Sequence, residues 1–174
     1  LFIASSTIAG NVAPAGAAIY DPGTPDVEAR SIRSTLISGE CGGAPLDSGG
    51  YNIESPGDTC GFGMGTDLPA EDQLDLGPLE DNGGPTKTHS LLENSVALDR
   101  IPELECVDNA GDPLRADQRG QPRPAGASSV CDVGAFELQP AVMESLLGIR
   151  RAGAACVITY FAPDVLSWMR TSSS

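Results

Sequence analysis

The chain has 174 residues, enough for one domain with a sizeable core or for one domain and a tail. Its 21 glycines and 14 prolines, against 5% aromatic residues, exclude a helix-rich fold and require frequent turns between short elements. The formal charge of -14 is concentrated in residues 40–112, where sixteen acids face only Lys87 and Arg100; such a surface repels nucleic acid and anionic lipid and suits calcium, a basic partner or simple solvation.

In chain order, FIASSTIAGN (2–11), GAAIY (16–20) and VEARSIRSTLISG (27–39) read as short β-strands separated by turn clusters such as DPGTPD. Ser6-Thr7-Ile8 recurs as Ser34-Thr35-Leu36, an offset of 28 residues. Stacked coils of a parallel β-helix repeat at a period in the twenties, so Ile8 is expected to lie on Leu36 inside, with Ser6 on Ser34 and Thr7 on Thr35 as polar ladders. Asn11, after Gly10, is expected to supply a left-handed turn position.

Residues 40–85 are rich in glycine and acids, and only Tyr51-Asn52-Ile53 reads as a strand there. Leu68, Leu74, Leu76 and Leu79 are its candidate buried anchors. Hard oxygen ligands gather between 67 and 81, and Asp67, Glu71, Asp72 and Asp75 form a candidate calcium site, although neither an EF-hand spacing nor a GGxGxD repeat occurs. Cysteines stand at 41, 60, 106, 131 and 156 without CxxC pairs, and His89 is the sole histidine, which argues against a tetrahedral zinc site. Two disulfides formed in an oxidising compartment account better for the first four. Three pairings are possible; the local one, Cys41 with Cys60 and Cys106 with Cys131, is favoured, leaving Cys156 as a buried thiol or an intermolecular bridge.

Residues 86–138 continue with short apolar runs. Ser90-Leu91-Leu92 followed by Ser95-Val96-Ala97-Leu98-Asp99 reads as a turn and a strand, and His89 as a turn or surface residue. After Leu138 the character changes: a helical segment near 141–151 precedes an apolar stretch that Pro163 ends, with Arg150 and Arg151 on its solvent face and Tyr160 and Trp168 as packing groups. No apolar run reaches the roughly 18 residues of a membrane-spanning helix. Leu1 opens straight into an apolar run, so a processed chain or a fragment with further repeats upstream is expected.

Four motifs taken together, GYNI (50–53), LGPLEDNGGPTKTHSLLENSVALD (76–99), DQRGQPRP (117–124) and CDVGAFE (131–137), resemble bacterial right-handed β-helix surface proteins with a choice-of-anchor Q type domain, often preceded by a CSLREA-type region. The resemblance spans residues 1–138 and implies a pectin-lyase-like solenoid, exported and displayed at the cell surface. The fold class expected is therefore all-β: the C-terminal coils and cap of a right-handed parallel β-helix over 1–138, with disulfide-stapled loops, and a short helical tail of unknown role over 139–174. In DNGGPT, residues 81–84 can supply positive-φ positions. Arg119 can fork to Asp117 or Asp132, and Val133 and Phe136 would plug the end of the solenoid. Ile3, Ile8, Ile19, Ile32, Leu36, Ile53, Leu92, Val96, Leu98, Val133 and Phe136 are the expected buried positions.

The expected function is non-catalytic: extracellular display, adhesion or matrix contact, with a glycan or surface protein as partner and no cofactor unless calcium. The competing class is a polysaccharide lyase or glycoside hydrolase of the β-helix type. Acids for the latter are abundant, but no paired carboxylates and no base can be placed from spacing alone, so no catalytic residue is assigned.

Overall fold

A computed structural model describes residues 1–23 and 30–140. The expected helical tail, and with it Arg150, Arg151, Cys156, Tyr160 and Trp168, lies outside the described residues. The fold is mostly β, and no α-helix occurs among the described residues; a single 3-10 turn spans Glu103–Glu105.

The first half stacks in parallel. Strands β1 (Phe2–Ala4), β4 (Ser31–Arg33) and β7 (Asp47–Ser48) form one three-stranded sheet. A second contains β2 (Thr7–Ile8), β5 (Leu36–Ser38) and β8 (Ile53–Ser55), and β3 (Ile19–Asp21) pairs with β6 (Cys41–Gly43). Each strand is only two or three residues long because a turn residue interrupts it. Ser5, Ser34 and Tyr51 all adopt left-handed φ, at 44°, 51° and 58°, and each bends the chain from a strand of the first sheet into a strand of the second.

These corners set the register, and they correct the offset read from the sequence. Thr7 pairs with Leu36 and Ile8 with Ile37, an offset of 29 rather than 28. The repeated Ser-Thr-apolar triplet is out of step by one because Ser5 aligns with Ser34, not Ser6 with Ser34. A shift of one residue moves every side chain to the opposite face. Leu36 accordingly does not lie under Ile8: it joins a cluster with Ile53, Leu74, Leu91, Ile101, Val133 and Phe136. Ile37 joins the other cluster, with Ile19, Ile32, Leu46, Cys60 and Phe62, against which Ile3 and Ile8 pack. Strand β5 is thus covered on both faces, which explains its consecutive apolar residues. The next step is shorter than a period in the twenties: Leu36 pairs with Ile53, and Ile53 bridges Leu68.

Among the described residues, parallel pairing reaches no further than Leu68. From there the pairings are antiparallel, β9 (Leu76–Glu80) with β10 (Thr88–Leu91) and β11 (Ile101–Pro102) with β12 (Val130–Cys131). The turn DNGGPT closes the first of these hairpins, with Gly83 and Gly84, rather than Asp81 and Asn82, at positive φ. A Cβ on Gly84 would come within 2.7 Å of the Arg119 Cα, so the hairpin requires glycine there for close approach as well as for φ.

Several local expectations change accordingly. Gly10, not Asn11, takes the left-handed turn position. Residues 40–55 hold three strands where one was expected, and Tyr51 is a corner rather than part of a strand. His89 lies in β10, half-buried, with Nδ1 2.7 Å from the Gly77 carbonyl. Residues 95–99 form turns instead of a strand. Of the expected core, Leu92 is 48% exposed because the neighbouring Leu91 is the one that turns inward, and Leu79 is exposed on the outer face of the hairpin. Ile3, Ile8, Val96 and Leu98 are half-buried.

Disulfides join Cys41 to Cys60 and Cys106 to Cys131. The first ties β6 to the loop after β8; the second fastens the 3-10 turn to β12.

Candidate functional site

The loops bury polar and charged side chains, and two clusters of them stand out by their hydrogen bonds. In the first, beneath the 56–68 loop, the Asp67 carboxylate accepts from Asn52 N–H at 2.9 Å, Met64 N–H at 3.0 Å and the Ser48 hydroxyl at 2.6 Å. Asn52, fully buried, donates through Nδ2 to the Ile32 carbonyl and accepts from Thr35 N–H through Oδ1, so it stitches three successive turns of chain together. Glu54 is buried too, with its carboxylate accepting from Thr59 N–H, the Thr59 hydroxyl and Cys60 N–H. Both carboxylates replace lost water with backbone donors, which is how a buried charge is tolerated.

That geometry corrects the calcium assignment. Asp67 points inward and is held by donors of Ser48, Asn52 and Met64, Asp72 is exposed, and Glu71 and Asp75 are half-buried. Glu71 N–H bonds back to the Glu54 carbonyl, while Asp75 sits at a positive-φ corner whose carbonyl accepts Leu92 N–H. The four residues follow different turns, and no group of three or more His, Cys, Asp or Glu gathers in metal-binding geometry among the described residues.

The second cluster lies in residues 115–139 and unites five ionisable side chains: Asp117, Arg119, Arg123, Asp132 and Glu137, all buried. Arg119 forks onto Asp117, with Nε at 2.9 Å and a terminal nitrogen at 2.8 Å, donates to the Glu137 carbonyl, and lays its guanidinium 3.6 Å from the centre of the Phe136 ring. The same Asp117 caps its own turn by accepting from Arg119 and Gln121 N–H. Arg123 donates to the carbonyls of Gly134 and Asp132 and stands 3.5 Å from Glu137 through Nε. Glu137 accepts from Ala125 and Asp132 N–H, and Asp132 from Asp99 and Leu138 N–H.

Three carboxylates thus share two guanidiniums out of water. Desolvation is the main cause that pushes the Glu137 carboxyl up from 4.5 to about 8; repulsion from Asp132 adds to it and Arg123 opposes it. Burial also raises Asp132, against the pull of its two N–H donors and of Arg123. For Arg123 burial lowers the pKa and the neighbouring acids oppose it. The cluster approaches neutrality when one carboxyl keeps its proton.

Above this cluster a cleft of about 420 Å³ opens between the first corner, Ser5 to Thr7, and the 114–118 loop, with Arg123 in its floor. The Thr7 hydroxyl accepts Ala135 N–H at 3.1 Å and Gly134 N–H bonds the Ser34 carbonyl at 3.0 Å, so the C-terminal described segment is pinned against the parallel sheets. Asp117 borders the cleft, yet its oxygens are already taken by Arg119, Gln121 and Glu137. Hydroxyls and an amide line the cleft rather than convergent reactive carboxylates. From the sequence Arg119 joins Asp117 or Asp132, and the pair with Asp117 forms; Arg123 and Glu137 are not legible there, because the cluster is assembled across two motifs, DQRGQPRP (117–124) and CDVGAFE (131–137), over twenty-one positions of a turn-rich region.

Comparison with known proteins points elsewhere than the resemblance above. The delta-aminolevulinic acid dehydratase family matches residues 125–168. Delta-aminolevulinic acid dehydratases of Macaca fascicularis and Bos taurus are each 49% identical over 37 residues, 21% of this chain and 11% of the relative. That of Schizosaccharomyces pombe is 53% identical over 36 residues, with the same shares. The chain therefore spans 11% of the length of these curated relatives. No solved structure matches. These findings correct the choice-of-anchor reading: the matched stretch takes in CDVGAFE (131–137), one of the four motifs that carried it, and crosses the boundary expected at residue 138. Within the described residues, the stretch similar to dehydratases supplies Val133 and Phe136 to the core and Asp132 and Glu137 to the ionisable cluster.

Proposed function

We propose that the chain is an exported, non-catalytic β-module whose parallel sheets close as coils of a right-handed parallel β-helix, and that it serves display, adhesion or matrix contact through its acidic exterior. The observation that carries this reading is the use made of the carboxylates. Those that are buried spend their oxygens on backbone N–H groups, hydroxyls and arginines of the fold itself, and acids such as Glu40, Asp58, Glu80, Glu93 and Asp112 are left on the exterior. General acid–base work needs a carboxyl that can reach substrate, and a structural carboxylate held by three or four donors is poorly placed for it. Two disulfides support an oxidising compartment, outside the cytoplasm at a surface or in secretion. No helix among the described residues is long and apolar enough to cross a membrane. An exterior of this charge favours a partner that presents basic groups, or a glycan bridged by cations.

The test is incubation of the disulfide-intact chain, with and without calcium, against polyuronides and neutral glycans, with cleavage and retention scored together. A parallel incubation supplies delta-aminolevulinic acid, the compound in the names of the matched relatives. Retention without turnover supports the module. Cleavage of a polyuronide or neutral glycan replaces it with a lyase or hydrolase, and consumption of delta-aminolevulinic acid replaces it with the dehydratase reading.

A further inference from the structure

A second cavity, of about 230 Å³, lies past β8, at the end of the β2-β5-β8 sheet away from β2. Its lining runs from the buried Ile53 and Val133, through the half-buried Leu68 and Tyr51, to the exposed Thr66 and Arg100. The base is therefore apolar and the rim polar.

Tyr51 is the first unusual member. Its φ of 58° is left-handed, a conformation that a bulky side chain adopts at a cost, and the equivalent corners before it are both serines, Ser5 and Ser34. The corner thus does not require an aromatic residue. Tyrosine adds a ring in the cavity wall and a hydroxyl that bonds nothing among the described residues. Arg100 is the second. Arg30, Arg33, Arg115, Arg119 and Arg123 each pair with a carboxylate. Arg100 pairs with none among the described residues, although it stands in the acid-rich stretch 40–112. Its Nε donates to the Val96 carbonyl at 2.9 Å, which anchors the guanidinium and leaves the terminal nitrogens open. Between the two, the Thr66 hydroxyl accepts Tyr51 N–H at 3.3 Å, so its oxygen is held in place with its proton free to be donated.

From this conjunction we infer that the cavity binds a single carboxylate carried on one compact apolar group, such as an aromatic ring. Arg100 forks onto the carboxylate, the Thr66 and Tyr51 hydroxyls donate to it, and the apolar group covers Ile53, Leu68 and Val133 beside the Tyr51 ring. The volume is below the roughly 300 Å³ at which sites for drug-sized ligands begin, so one ring fills it. A saccharide fits less well, because its hydroxyls would lose water against an apolar base. The surrounding acids repel a polyanion, whereas one carboxylate is balanced by one arginine. A free organic acid and the C-terminal residue of a peptide both present this chemistry.

The experiment is calorimetric titration of the full, disulfide-intact chain with phenylacetate and with a short peptide ending in phenylalanine. 2-Phenylethanol and the amidated peptide are their neutral counterparts. At least one of the two acids should bind with a dissociation constant of about 1 mM or tighter. Removal of the charge, in the neutral counterpart or in Arg100→Gln, should weaken binding by about tenfold or more. Tyr51→Ser, which brings in the residue of the other two corners, should weaken it too, and Arg115→Gln should leave it unchanged. Circular dichroism and melting temperature of Arg100→Gln should match those of the parent chain. Tighter binding of phenylacetate supports a free acid as the source, and tighter binding of the peptide supports a chain terminus. Absence of binding by both acids, equal binding of the neutral counterparts, or binding that survives Arg100→Gln overturns the inference.

Discussion

Leu36 and Ile37 are neighbours in one three-residue strand and belong to different cores, Leu36 packing with the C-terminal segment and Ile37 with the interior of the stacked strands. Both are fully buried. Truncation of either to alanine is expected to cost about 3 kcal/mol, the usual range for a large aliphatic residue in a core. The two variants should nevertheless differ in where they loosen the molecule. Hydrogen exchange should quicken at Val133–Phe136 in Leu36→Ala and across β1 and β4 in Ile37→Ala, while Ile8→Ala, half-buried, should cost under about 1.5 kcal/mol.

Stability should fall as the solution becomes more alkaline. The folded state holds the Glu137 carboxyl at about 8 against an ordinary 4.5, so between those values the folded chain binds a proton that the unfolded chain has released. The full contribution is present below 4.5, erodes as pH rises toward 8, and stays lost above it; the upward shift of Asp132 acts in the same direction. Urea midpoints measured at about pH 5 and about pH 9 should show the decline, and Glu137→Gln, which fixes a neutral side chain, should flatten it.

Asp67 gives a prediction opposite to that of a metal ligand. Asparagine at this position keeps the size of the side chain but replaces one acceptor oxygen with a donor, which then faces Met64 N–H and the Ser48 hydroxyl or Asn52 N–H. Asp67→Asn should therefore lose about 2 kcal/mol. Addition of EDTA should leave the melting temperature of the parent chain unchanged, and calcium should not raise it.

The two disulfides close loops of 19 and 25 residues, each expected to contribute about 3 kcal/mol by restricting the unfolded chain. Replacement of Cys106 and Cys131 together by alanine should cost more than replacement of Cys41 and Cys60, because Cys131 is fully buried in the cluster that holds Leu36 and Val133, and Cys41 is half-exposed. Denaturant titrations of the two double variants compare them directly.

Composition and turn chemistry by themselves determined that this chain builds short β-strands between frequent turns, and cysteine usage narrowed its covalent cross-links to a few pairings, because these properties are local or countable. Periodicity also disclosed that residues near 6 and 34 are equivalent, but not which residue lies on which. The left-handed corners at Ser5 and Ser34 decided that, and a serine at such a φ leaves no mark in sequence that distinguishes it from the serine beside it. The assignment of Leu36 to a second core, the inward rotation of Asp67, and the addition of Arg123 and Glu137 to the ion pair legible between Arg119 and Asp117 likewise belonged to the tertiary structure alone. Each depends on long-range contacts, such as Gly134 against Ser34, between segments separated by about a hundred residues. Whether an acid binds a metal, reacts or merely holds a loop is settled by which donors surround it, and those donors are backbone groups that every sequence possesses in equal number.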